Sequence, residues 1–434
     1  MLAFGTERLC TVDSNISSKI CLFLEPHDHK MMVPGANLRS AFDGGNVQCI
    51  NSLDCTSFPG VLLSIREDPY TELEKRSYKQ WFYFRVDGAM TGARAYFTIL
   101  NGGEASLRNK LYTYLRGRRL ASLPGESAEA PEEWPDSDVV YSYDRKSWRR
   151  CLDTACDESS GHLSWSLLAE ADRVWFAYFA PYSMQRHDKL LDMCEANRPG
   201  SVREFGRSLD DRALHLVVVG RGPLKCWVIH RQHPGETMGG WFAEGLLQRL
   251  VEPAHGDDEA SRLLGVYTFH IIPNLNPDGS FRGHLRTNAA GSNLNREWAD
   301  SFHGGTVYKA PTLERSPEVY YAIRQMDEIG CDVCVDVHGD ETLPYNFISG
   351  MEGVPNWGPR LKGLQGMFTA AYSRANGDMQ VDMPRIVDAS LIRPVKPRPS
   401  PRTFTNSKFN LVPPPRPRPS HLLPLFFIWP ILAF

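Results

Sequence analysis

The chain has 434 residues, 42% of them hydrophobic and 23% charged, with ten cysteines and a formal net charge of −3. That length exceeds one typical domain, so two or three are expected, and the balance is that of a globular chain without the basic field that nucleic acid binding needs. No apolar run reaches the length of about 18 residues that suggests a membrane helix, and the scattered cysteines without a secretory leader point to a reducing, cytoplasmic setting.

Residues 1–39 show no clear pattern and are set apart as an N-terminal extension; His27 and His29 within it are expected at the surface. From 40 to 185, runs such as "QWFYFRVDG", "RAYFTILNGG", "LSWSLL" and "RVWFAYFAPYS" alternate apolar and polar positions between Gly, Asp, Asn or Pro. Period-two alternation with such boundaries predicts an antiparallel β-sandwich. From 186 to 383 the pattern changes. "ALHLVVVG", "KCWVIHRQ", "GVYTFHII" and "CDVCVDVHGD" read as buried strands, separated by the helical runs "TMGGWFAEGLLQRLV" and "SPEVYYAIRQMDEIG". Ser316 is placed at the N-cap of the second helix, Pro317 at its first position and Gly330 at its end. Strands alternating with helices predict an α/β domain: a mixed, mostly parallel sheet flanked by helices, with ligands beyond the carboxyl ends of the strands. Residues 384–434 turn Pro/Arg-rich, are given no periodic element and are expected to be disordered. The final "LLPLFFIWPILAF" is apolar but too short to span a bilayer and is broken by Pro424 and Pro430.

The chemistry concentrates after the strand ends. "HPGE" puts His233 and Glu236 on one turn between a strand and a helix, and His338 ends a later strand. Two histidines and a glutamate, with one position left for water, make a catalytic Zn2+ set. His230 lies within the strand and is given a structural role. Cys331 and Cys334 are read as buried thiols on opposite strand faces. A second cluster, "NLNPDGSFRGHLRTNAAGSNLNREW", holds three arginines among asparagines. A guanidinium fork matches a carboxylate, so Arg296 beside Asn295 is a candidate clamp for a terminal carboxylate. Arg286 could stabilise an oxyanion nearer the metal. Arg282 receives no role.

"HPGE", "NPDG", "LNR" and the strand ending in His338 occur in the order found in zinc metallocarboxypeptidases. "FDGGN", "QWFYFRV", "SWRR" and "YFAPYS" resemble the N-terminal domain of the cytosolic carboxypeptidase subfamily, which includes tubulin deglutamylases. The resemblance covers roughly residues 40–382. It implies Zn2+ on His233, Glu236 and His338, the substrate's C-terminal carboxylate on Asn295 and Arg296, and the scissile carbonyl polarised by Arg286. It further implies removal of C-terminal residues from proteins or peptides, with acidic tails such as those of tubulin as partners.

One departure stands out. The family's general base is a glutamate on a later strand, and no glutamate follows Glu352. Asp378, Asp382 and Asp388 lie on no strand-like run, and Glu341 is a weak substitute because it shares the loop of a ligand. The α/β domain is therefore expected to be truncated, with an exposed sheet edge. Zinc binding is expected with little hydrolysis. A zinc-retaining module that recognises peptide C-termini and a zinc amidohydrolase on the same scaffold stay open as alternatives.

Overall fold

The computed structural model describes residues 17–24, 31–50, 60–71, 78–88, 91–92, 94–102, 138–157, 160–252, 256–303, 306–340, 346–350, 358–377, 379 and 425–429. His27, His29, Glu341, Glu352, Asp378, Asp382 and Asp388 lie outside them.

The N-terminal half is a two-sheet sandwich. One sheet has the order Ser17–Leu24, Met31–Arg39, Tyr83–Asp87, Arg173–Ala177, Val140–Ser142, Arg149–Arg150; the other runs Gln48–Cys49, Val61–Ser64, Arg94–Ile99, His162–Leu168, Ala155–Asp157. Arg94–Ile99 and His162–Leu168 bury every second residue, as the alternating sequence dictates. Their inward faces meet in an aromatic core. Phe97 lies 4.8 Å from Phe176 and 5.3 Å from Trp165, ring centre to ring centre. Such pairs contribute about 0.5–1.5 kcal/mol each beyond the area they bury. The boundary at residue 40 needs correction: Ser17–Leu24 and Met31–Arg39 belong to the first sheet, because Asn37–Arg39 pairs with Arg85–Asp87. Pro34 and Gly35 interrupt the pattern that would have marked the second of these strands.

The α/β half is built on a seven-stranded sheet in the order Val202–Arg207, Ala213–Gly220, Tyr267–Ile272, Leu224–His230, Val333–Val337, Leu425–Trp429, Phe347–Ser349. The three central pairings are parallel, with antiparallel strands at both edges. Met238–Val251 and Pro317–Ile329 are helices, as their spacing predicts. Ser316 takes the N-cap position, but its hydroxyl donates to Glu297 (3.0 Å) rather than capping the helix. A helix that the sequence reading missed, Met184–Asn197, buries His187, Leu190, Leu191 and Cys194 on one stripe and is capped by Ser183.

Leu425–Trp429 differs from expectation. It is a strand, and it inserts beside Val333–Val337 where an exposed edge was expected. Five consecutive aromatic and aliphatic residues favour that pairing.

One loop supplies several of the contacts between the halves. Gly44 donates its N–H to Phe281 O (2.8 Å), and Asn46 Nδ2 donates to Gly283 O (3.1 Å). Asp68, 1% exposed, accepts from the backbone N–H groups of Leu285, Arg286 and Thr287 at 2.7, 2.8 and 2.9 Å and from Thr287 Oγ1 at 3.0 Å. Gly283 has φ +72°, and a Cβ there would sit 2.7 Å from Gly44 O and Gly45 O. Gly283→Ala should therefore lower stability by about 1 kcal/mol or more from backbone strain alone. Calorimetric melting of the variant checks this; an unchanged transition would show that the close approach is not needed.

Candidate metal centre

The strand Leu224–His230 delivers the chain to a buried turn. Arg231, with φ +57°, reverses it, and its buried guanidinium donates to Tyr182 O (3.1 Å), Pro234 O (2.6 Å) and Ser280 Oγ (3.1 Å). Burial pulls its pKa down to about 10. Gly235 is required by close approach: its N–H donates to Leu285 O (2.8 Å), and a Cβ would lie 2.9 Å from that oxygen. This bracing directs His233 and Glu236 inward.

His338 arrives from the neighbouring strand. The parallel pairing sets His230 beside Val337, so the turn and His338 leave the same end of the sheet. His233, Glu236 and His338 are 2%, 4% and 1% exposed, and one ligand atom from each lies within 4.8 Å of the others. His233 Nδ1 is 2.8 Å from Glu236 Oε1, and His338 Nδ1 is 3.0 Å from Glu236 Oε2 and 3.1 Å from His233 Nδ1. Glu236 Oε2 also accepts the Gly339 N–H (2.9 Å).

The outer ring nitrogens are held as well. His233 Nε2 faces Asn293 Oδ1 at 3.0 Å, and His338 Nε2 faces Asp336 Oδ2 at 2.8 Å. Asp336 Oδ2 in turn accepts from Gln232 Nε2 (2.5 Å), whose Oε1 accepts from Trp298 Nε1 (3.0 Å). Neither oxygen can donate, so both Nε2 atoms carry the proton. Two Nδ1 lone pairs and a carboxylate then converge on one point, which is favourable only with positive charge among them. That donor set, with its outer hydrogen bonds fixing ring orientation, fits a zinc ion. Asn293 and Asp336 escaped the sequence reading. The period-two spacing of "DVH" was the available signal for Asp336, since it puts both side chains on one face.

The titration of the cluster follows the same logic. Burial holds the His233 imidazole down at about 4. For His338 burial works against protonation, but Asp336 and Glu236 outweigh it and raise the ring to about 10. Burial alone would raise the Glu236 carboxyl; the two histidines hold it well below the usual range. In the metal-free protein the two carboxylates favour a proton on His338.

Arg286 reaches the centre: its Nη1 is 3.8 Å from Glu236 Oε1. Asn295 Nδ2 is 3.5 Å from His338 Nε2, which places the short helix Leu294–Arg296 against the centre. Arg296 follows, half-buried, with its Nη1 donating to Asn295 O (2.8 Å) and its guanidinium over the Tyr308 ring. Arg282 is structural, bridging Asp210 at 2.9 and 2.5 Å. His230 is also structural: it is fully buried, with Nδ1 2.9 Å from Ile272 O. Cys331 and Cys334 do not diverge as expected. Cys331 precedes the strand Val333–Val337, its Sγ donates to Val333 O (3.6 Å), and it packs half-buried against the same core as the buried Cys334. They are not part of a three-residue metal cluster among the described residues.

Residues 38–179 match the family profile of the cytosolic carboxypeptidase N-terminal domain, and residues 188–356 match that of zinc carboxypeptidase. An uncharacterized protein of Zymomonas mobilis is 37% identical over 320 residues, 74% of this chain and 71% of that protein. Cytosolic carboxypeptidase 6 of Caenorhabditis elegans is 28% identical over 344 residues, 73% of this chain and 66% of that protein. Among solved structures, a metallo-carboxypeptidase from Pseudomonas aeruginosa in complex with (2-guanidinoethylmercapto)succinic acid superposes with a TM-score of 0.64. It is 35% identical and covers 84% of this chain, which covers 82% of it.

Two measurements test the centre. Metal must displace the His338 proton, so affinity should rise about tenfold per pH unit from pH 6 to 9 and level off near 10. Chelator competition across that range would give a flat line if His338 were already neutral. Asp336→Asn removes the acceptor that orients His338 and should weaken zinc binding about 10–100-fold; wild-type affinity in the same assay would exclude that role.

Proposed function

The chain belongs to the zinc carboxypeptidase family, and from that premise we propose that it is a zinc-dependent metallocarboxypeptidase site for protein or peptide C-termini. The observation that carries the reading is the convergence of His233, Glu236 and His338 with Arg286 and Asn295 at their edge. His233 Nδ1, Glu236 and His338 Nδ1 would hold one Zn2+. When bound, the ion supplies Lewis acidity to the scissile carbonyl and to water.

The remaining work falls to side chains. Asn295 and Arg296 receive the terminal carboxylate, the guanidinium as a planar fork and the amide as a further donor. Holding the chain end in this way restricts cleavage to the last residue. Arg286 donates to the carbonyl oxygen, where negative charge develops. Asn293 and Asp336 keep the ligand rings oriented. The Pseudomonas relative is in complex with (2-guanidinoethylmercapto)succinic acid, and the carboxylates of that ligand support a carboxylate-receiving site here. Acidic C-terminal tails are the proposed substrates and the cytoplasm the proposed setting, on the strength of the matching cytosolic carboxypeptidase N-terminal domain. No helix among the described residues is long and apolar enough to cross a membrane.

Among the described residues, none is assigned to proton transfer. Glu236 and Asp336 are both engaged by the histidines, and no glutamate follows Glu352 in the sequence. The chain is therefore read as binding zinc and a peptide end with little turnover. The zinc-loaded protein should bind a peptide ending in a free glutamate carboxylate and not its C-terminal amide. Arg296→Ala should abolish the distinction, and glutamate release should run about 100- to 10,000-fold below that of an enzyme with its base. Calorimetry and amino-acid release read these outcomes. Chelator-sensitive release at full rate would overturn the claim of a missing base, and equal binding of acid and amide would overturn the clamp.

A further inference from the structure

Asp68 belongs to the sandwich, yet its carboxylate ends at the other half of the molecule. It is 1% exposed, and it gathers three successive backbone N–H groups, from Leu285, Arg286 and Thr287, together with the Thr287 hydroxyl. Its own segment is pinned in return: Asp68 N–H donates to Tyr78 O (3.3 Å), and Asp68 O accepts from Thr71 Oγ1 (3.2 Å). Three consecutive amides donating to one carboxylate constrain the backbone across their middle residue. The middle residue here is Arg286, whose guanidinium reaches 3.8 Å from the Glu236 carboxylate. The same loop touches the ligand turn directly, because Leu285 N–H is held by Asp68 while Leu285 O accepts from Gly235, between His233 and Glu236.

From this geometry we infer that Asp68 is a positioning residue: the sandwich supplies the anion that aims Arg286 at the metal centre. The inference rests on the reading of Arg286 as the group that stabilises the developing oxyanion. Removing the anion leaves Arg286 in the chain but frees the direction in which its side chain departs. The β-sandwich thereby becomes part of the active site's geometry and not only a support for it. A misplacement of about 1 Å is enough to remove most of the benefit of such a group.

The test uses the full-length zinc-loaded protein and a dipeptide phosphinate, whose tetrahedral anion imitates the attacked carbonyl and whose binding needs no general base. Affinity is measured by calorimetry in wild type, Asp68→Asn, Arg286→Ala and the double variant. Zinc affinity and amide exchange at 285–287 are measured alongside. Arg286→Ala should weaken the phosphinate about 100-fold. Asp68→Asn should weaken it about tenfold with Arg286 present, by less than about twofold with Arg286 absent, and should speed exchange of the three amides while leaving zinc affinity within about threefold. Equal losses in both backgrounds would mean general loosening and overturn the inference, as would an Asp68→Asn that binds like wild type. Wild-type binding by Arg286→Ala would instead remove the oxyanion reading itself, and the inference with it. If Asp68→Asn does not fold, Thr287→Val deletes one of the four bonds and should show the same non-additivity with a loss of about threefold.

Discussion

The parallel pairing of Leu224–His230 with Val333–Val337 is the constraint on which the rest of the centre depends. Its register puts His230 opposite Val337, so the "HPGE" turn and His338 emerge side by side from one end of the sheet. Parallel neighbours need a long crossover, and here more than a hundred residues separate the two strands. Into that interval fit the Asn/Arg-rich loop and the helix Pro317–Ile329, and this loop returns over the same sheet end to bring Asn293, Asn295 and Arg286 to the histidines.

Once the three donors converge, electrostatics governs the site. Burial depresses His233, whereas Asp336 and Glu236 together raise His338, so neighbouring imidazoles take opposite directions. The outer hydrogen bonds to Asn293 and Asp336 aim both Nδ1 atoms inward. A buried carboxylate facing two lone pairs needs positive charge between them, which a metal ion supplies.

The sandwich reaches the loop beside the metal centre through several hydrogen bonds. Gly44, Asn46 and Asp68 all reach the 281–287 loop, and the αL backbone of Gly283 lets that loop lie against the Gly44 and Gly45 carbonyls. A loop held by charge-assisted hydrogen bonds to its backbone is set independently of its own side chains, which explains why its residues can be given over to function.

Much was legible along the chain, because it is written in local patterns: alternation in Arg94–Ile99 and His162–Leu168, buried runs in the central strands of the α/β sheet, and the turn carrying His233 and Glu236. Those patterns determined the sandwich, the α/β sheet and the three candidate ligands. They could not reveal Asn293 as an orienting group, Arg231 as the brace of the turn through Tyr182 and Ser280, or Arg282 as a partner of Asp210, since each is defined by a neighbour distant in sequence. The strand Leu425–Trp429 was hidden for a related reason: pairing with Val333–Val337 makes it a strand, and the Pro/Arg-rich sequence before it masks the signal. The sequence by itself determined which residue types could hold a metal and a carboxylate, through local spacing. Only the tertiary structure decided which of them meet, because strand register and the contact of Asp68 with a loop more than two hundred residues away join parts of the chain that no local pattern connects.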